Sequence, residues 1–144
     1  MAQLQKITPF LWFDKNAEEA ARFYCSIFKN SGILNSNPMV VTFELERQRI
    51  MALNGGPMYK FTEAFSFFVS CDTQEEVDNF WEKLTADGQE SRCGWLKDKY
   101  GLFWQIIPTV LGELMGGPDR AKAQRVLQAM LKMKKMDVKK LQNA

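Results

Sequence analysis

CDTQEEVDNFW, residues 71–81, repeats in outline FDKNAEEAARFY, residues 13–24. Glu18–Glu19 and Phe23–Tyr24 recur as Glu75–Glu76 and Phe80–Trp81 at one common offset, and Asp14 recurs as Asp72 one residue out of step. An apolar run precedes each aspartate: Ile7 to Phe13 (ITPFLWF) and Ala64 to Cys71 (AFSFFVSC). Short aromatic and aliphatic runs of this kind read as strands, and Pro9 near the start of the first suits a sheet edge. Asn16 with Glu19, and Thr73 with Glu76, have capping-box spacing, so each strand leads into a helix. The helical faces follow at i, i+3, i+4 and i+7 intervals: Ala17, Ala20, Ala21, Tyr24, Ile27 and Phe28, then Val77, Phe80, Trp81 and Leu84.

Working outward, Asn30–Ser31–Gly32 ends the first helix and Gly88 the second. Asn35 to Pro38 reads as a turn. Met39 to Glu46 alternates, with Val41, Phe43 and Leu45 opposite Thr42, Glu44 and Glu46, which predicts a half-buried strand. Arg47–Gln48 connects it to a strand from Arg49 to Leu53, and Asn54-Gly55-Gly56-Pro57 breaks the ladder. In the second copy, Glu90 to Lys97 and Leu102 to Ile107 predict a hairpin about Lys99-Tyr100-Gly101. After Pro108 come a short helical turn, a Gly116-Gly117-Pro118 break, a helix from Asp119 to Met133, and a last turn capped by Asp137. The expected fold is α+β within a single domain, 1–144. Two halves at about 6–57 and 62–108 place two curved mixed half-sheets around a cup, and a helical extension covers 109–144.

A chain of 144 residues with 46% hydrophobic and 25% charged residues suits one folded domain. A net charge of +2 gives no ground for expecting nucleic acid or an acidic membrane as partner. The charge is unevenly spread: eight Lys and Arg follow Asp119 against only Asp119 and Asp137. That basic tail reads as a solvated helix face or a surface that docks on protein, while Val126, Met130 and Met133 form an adaptable apolar face that needs burial. Cys25, Cys71 and Cys93 are odd in number and form no CxxC pair, which argues against a disulfide framework or thiolate metal site. No apolar run approaches a membrane span, and MAQLQKITPF lacks a signal-peptide core, so a reducing cytoplasm is the expected address.

The chain contains no histidine. That removes His-based metal sites, Ser-His-Asp triads and Cys-His pairs together. Glu44 and Glu46 could form a carboxylate pair on one strand face. Cys93, with only Arg92 beside it, is a weak candidate for a reactive thiolate.

The tandem β-α-β-β-β halves resemble the vicinal oxygen chelate superfamily of glyoxalases, bleomycin-resistance proteins and extradiol dioxygenases. More narrowly, PFLWFD, AEEAARFY, ALNGGP, CDTQEEVDNFW and CGWLKDKYGLFWQIIP resemble the PhnB-like family, often labelled 3-demethylubiquinone-9 3-methyltransferase-like. The resemblance extends from about Lys6 to AQRVLQAMLKMKK, with a shortened link between Phe28 and Met39. It implies a cup that, in most members of the superfamily, holds a divalent ion with one His or Glu from each of four strands. Laid onto this chain, those positions are Thr8, Asn54, Ser66 and Gln105, none of which ionises, so no metal and no other cofactor is expected. By strand alternation Phe10, Trp12, Ile50, Ala52, Phe68 and Phe103 share their side, giving either an apolar pocket with a few polar groups or a cup filled as core. The resulting expectation is a metal-free protein that sequesters or carries a small apolar or aromatic ligand through Thr8, Trp12, Asn54, Ser66 and Gln105. By analogy it is a homodimer. An enzyme acting on an aromatic or quinone-like substrate, with catalytic groups not identified, is the alternative.

Overall fold

Leu11 and Phe13 are buried while Phe10 is half exposed and Trp12 partly so, and the first strand thus puts alternate residues on opposite faces. The computed structural model describes residues 5–144, which fall into two units dividing between Phe61 and Thr62. The first comprises β1 (Phe10–Phe13), α1 (Ala17–Ile27), β2 (Gly32–Ser36), β3 (Val40–Leu45) and β4 (Gln48–Asn54). Its sheet has the order β1-β4-β3-β2, with β1 parallel to β4 and the rest antiparallel. The second comprises β5 (Phe67–Cys71), α2 (Gln74–Thr85), β6 (Gln89–Glu90), β7 (Trp95–Lys97) and β8 (Phe103–Pro108), in the corresponding order β5-β8-β7-β6. The repeat read from the sequence is therefore a repeat of topology as well. Helices α3 (Thr109–Met115), α4 (Arg120–Leu131) and α5 (Val138–Gln142) extend the second unit.

In the first unit, α1 buries Ala17, Ala20, Ala21, Tyr24 and Ile27. The three alanines let its backbone approach the sheet closely, and Tyr24 lies 6.4 Å from Phe43 between ring centroids. Val41, Phe43, Ile50 and Ala52 complete this core. Each large side chain fully buried here contributes about 1.5–3 kcal/mol before conformational entropy is subtracted. In the second unit the matching helix face, Val77, Phe80, Trp81 and Leu84, is buried with Leu96, Trp104 and Ile106.

Four local expectations need correction. Strand β2 lies where no strand was expected; it is an exposed edge with a register shift between Ile33 and Asn35, so it shows no alternation. The turn after it is residues 37–39, held by Asn37, whose side chain accepts from the backbone of Met39 and Val40, both at 2.9 Å. Glu46 belongs to a turn and not to β3: Glu46 and Arg47 have φ of 49° and 67°, the left-handed pair of a two-residue hairpin joining Leu45 to Gln48. The supposed Glu44–Glu46 pair therefore dissolves, and Glu44 instead faces Arg49 across the ladder. Finally, Glu90 to Lys97 is two strands, because Cys93 and Gly94, with φ of 58° and 82°, turn the chain between β6 and β7.

The caps also differ. Thr73 accepts from Glu76 N at 3.2 Å, and the Glu76 carboxylate accepts from Asp72 N at 2.8 Å, a working reciprocal cap. Asn16 makes no such bond.

Asp137 caps α5 as expected, and Asp119, expected as the first residue of its helix, is instead the N-cap of α4; each accepts a backbone N–H at 3.0 Å. Val126, Met136 and Leu141 are fully buried. Gln74 donates to Met136 O at 3.0 Å and accepts from Val138 N at 2.7 Å, so the start of α2 holds the chain entering α5. Lys135 pairs with Asp78 at 2.8 Å. Hydrogen bonds from Lys135 and Gln74 pull the Asp78 carboxyl below its ordinary value. A depressed folded-state pKa means stability that is present above the unfolded value of 3.8 and is lost as pH falls through the folded one. Asp78→Asn is therefore expected to destabilise the chain at neutral pH, by no more than about 1 kcal/mol for so exposed a pair. The difference from wild type should shrink toward zero in strong acid. Urea melts of both proteins at neutral pH and well below pH 3.8 would check it.

Candidate functional site

Each sheet has one face under its helix and one turned away from it, and the strand registers decide which residues lie on which. Phe10 is opposite Met51, Leu11 opposite Ala52, Trp12 opposite Leu53 and Phe13 opposite Asn54. Paired residues project to the same side, so Phe10, Trp12, Met51 and Leu53 share the face away from α1. Ile50, Ala52 and Asn54 belong to the helix side with Leu11 and Phe13. The alternation reading, which grouped Ile50, Ala52 and Asn54 with Phe10 and Trp12, is thus corrected. Within a strand the period was right; the phase between neighbouring strands was not.

Asn54 is correspondingly structural. Its Oδ1 accepts from Ala17 N at 2.8 Å and its Nδ2 donates to Pro38 O at 3.0 Å. It supplies from β4 the bond to the first turn of α1 that Asn16 does not make.

Trp12 is held by the loop after β4. Its Nε1 donates to Gly56 O at 2.9 Å, Tyr59 meets it edge-on at 5.0 Å, and a Cβ placed on Gly55 would lie 2.3 Å from the indole Cε2. The Gly-rich turn therefore makes room for an aromatic ring, and only a residue without a side chain fits at Gly55. Thr8 lies just ahead of β1, on the Trp12 side by alternation.

The second sheet brings two of the expected residues together. Gln105 Nε2 donates to Ser66 Oγ at 3.0 Å. In register, Gln105 lies between Phe68 on β5 and Trp95 on β7, and the next pair along is Phe103 with Lys97. All of these turn away from α2. Phe68 is 60% exposed, whereas Phe103 is buried beneath Lys97, whose Nζ lies 5.8 Å from its ring centroid. Among the described residues, Gln105 Oε1 accepts no hydrogen bond, and the Ser66 hydroxyl, having accepted one, donates none. The result is a neutral hydrogen-bonding pair with donor and acceptor capacity to spare, set between aromatic rings.

The same registers identify the true counterpart of Gln105 in the first unit. Gln105 is opposite Phe68 as Met51 is opposite Phe10, so the repeat equates Gln105 with Met51, not with Asn54. The positions that the resemblance marks as ligands then become Thr8 and Met51 in the first unit and Ser66 and Gln105 in the second, each unit taken by itself. Two hydroxyls, a thioether and an amide carry no charge to balance a divalent ion, and they do not fit one. Among the described residues, no three His, Cys, Asp or Glu side chains gather as a possible metal site.

Sequence reasoning missed Lys97 and Trp95 as neighbours of Gln105, because only the β7–β8 register places them there. It also missed Asp98, which is 2% exposed. Its carboxylate accepts from Tyr100 N at 2.8 Å, Leu102 N at 3.1 Å and Trp104 Nε1 at 2.8 Å. The available signal was Asp98 three residues before Gly101, the signature of a turn closed by Gly101 N donating to Asp98 O at 2.9 Å. Two of the thiols are held away from the thiolate form: burial pushes Cys71 up to about 12, helped by Glu76 and Asp72, and burial also raises Cys25.

The solved structures that this chain resembles carry the same architecture. It superposes on a putative 3-demethylubiquinone-9 3-methyltransferase, PhnB protein, from Bacillus cereus at 36% identity, TM-score 0.68, covering 73% of this chain and 100% of that one. The protein PA1353 from Pseudomonas aeruginosa gives 17% identity and a TM-score of 0.60 over 73% and 98% of the two chains. The fosfomycin resistance protein FosX from Listeria monocytogenes, solved with Mn(II) and sulfate, gives 16% and 0.54 over 72% and 87%. No curated protein matches. The fold is that of the glyoxalase and vicinal oxygen chelate group. Within it, the chain belongs to the family described as 3-demethylubiquinone-9 3-methyltransferase, which it matches over residues 5–107. The family match ends before α3, so the resemblance does not extend through AQRVLQAMLKMKK as expected.

Proposed function

We propose that this chain binds a small flat molecule without a metal of its own, as a sequestering or carrier protein. The observation that carries the reading is the Ser66–Gln105 pair, hydrogen-bonded to itself yet still able to donate and accept, between Phe68 and Trp95. An apolar surface with a few convergent polar groups is the usual composition of a small-molecule site. The neutral set Thr8, Met51, Ser66 and Gln105 supports the absence of a divalent ion. Methyl transfer from a Rossmann-type S-adenosylmethionine site would call for a glycine-rich turn after the first strand. Here β1 passes through Asp14-Lys15-Asn16 into α1, and Gly55–Gly56 are engaged with Trp12. Action as a cytoplasmic homodimer is part of the same proposal; among the described residues no helix is long and apolar enough to cross a membrane.

Native mass spectrometry of protein purified without chelator tests the reading, together with thermal shifts against aromatic and quinone-like compounds. Retained or added flat compounds should raise the melting temperature, and no stoichiometric metal should appear. One tightly bound divalent ion per chain would defeat the metal-free reading. A panel in which no compound shifts the protein would defeat the binding reading.

A further inference from the structure

Lys97 sets the charge of the face that holds Ser66 and Gln105. Every other position on that face of β5, β6, β7 and β8 is neutral, and among the described residues no carboxylate pairs with Lys97. The first sheet differs: its charge Glu44 stands directly opposite Arg49, so that face balances itself. Lys97 is also positioned. Its Nζ stands over the ring of the buried Phe103, 5.8 Å from the centroid, which orients the ammonium on this face. In the ladder Lys97 is opposite Phe103, and Gln105 lies two residues further along β8, a diagonal of about 7–8 Å. A single bicyclic aromatic spans that distance.

We infer that the ligand of this face is a planar aromatic anion. Its acidic group meets Lys97, its ring lies against Phe68 and Trp95, and its far edge takes the free acceptor of Gln105 and the hydroxyl of Ser66. The inference rests on the small-molecule reading above and adds the sign of the ligand's charge. A neutral flat compound would satisfy the aromatic rings and the amide but leave the cation unpaired. A cationic one would be repelled.

Isothermal titration of the full chain with naphthoate and with naphthamide, its neutral isostere, tests this. Naphthoate is expected to bind about tenfold more tightly, the value of one charge-assisted hydrogen bond. The advantage should shrink with added salt and vanish in Lys97→Met, which keeps an unbranched side chain, while naphthamide binds that variant as it does wild type. The wild-type comparison needs no variant to fold. Equal affinity for the two compounds, or a preference for naphthoate that survives in Lys97→Met, overturns the anion and leaves the binding reading standing. No binding of naphthoate while neutral flat compounds bind does the same. No binding by any flat compound overturns both.

Discussion

Asp98→Ala is expected to remove about 3–5 kcal/mol of stability, a large share of what a chain of this size possesses. Asp98 is 2% exposed and its carboxylate accepts from Tyr100 N and from two donors that have no access to water, Leu102 N and the indole N–H of Trp104. Truncation leaves each without a partner, at about 1–3 kcal/mol apiece, and releases the turn that joins β7 to β8. Asp98→Asn keeps the shape and one acceptor oxygen and should lose distinctly less. Trp104→Phe removes the indole donor, so in a double-mutant cycle with Asp98→Ala the two losses should fall well short of additivity. Urea unfolding of the four proteins provides the measurement. Additive losses, or an Asp98→Ala protein as stable as wild type, would show that the carboxylate does not hold the Trp104 indole. Because Gln105 follows Trp104 on β8, the same contact fixes the strand that carries the candidate site.

The sequence already contained the repeat, both helix faces and the cap of the last helix, since each rests on spacing within one short segment. Ala17, Ala20, Ala21 and Tyr24 had only one face to bury, and the structure buries that face. What could not be read was the relation between segments. A period of two says that Ile50, Ala52 and Asn54 point the same way, but not whether that way is the side of Trp12 or of Phe13. One residue of register reverses the answer. The same limit hid Met51 as the counterpart of Gln105 and Lys97 as its neighbour. Strand β2 escaped for a different reason: both its faces are accessible, so burial imposes no alternation on Gly32–Ser36. Ser66 and Gln105 were reached through family resemblance, and their mutual hydrogen bond joins positions 39 residues apart.

Asn54 and Gln105, which the sequence grouped as equivalents, should therefore respond to the same substitution in opposite ways. Asn54→Ala removes the acceptor for Ala17 N and the donor to Pro38 O. Losing a helix-terminal cap costs about 0.5–2 kcal/mol, and losing the second bond about 1 more, so a total near 2–3 kcal/mol is expected. Ligand binding by the folded fraction should stay close to wild type, because the side chain lies on the helix side of its sheet. Gln105→Ala breaks only the bond to Ser66, a hydroxyl that a half-buried site lets water satisfy, and should change stability by less than about 1 kcal/mol. Its effect belongs to the ligand: thermal shifts by flat compounds should fall or disappear. Melting curves of both variants with and without the compounds separate the two roles. Were Asn54→Ala to melt normally yet lose its ligand shifts, the register-based assignment of faces would be wrong. Were Gln105→Ala to lose several kcal/mol with its shifts intact, the Ser66–Gln105 pair would be a core element and the binding face would have to be sought elsewhere.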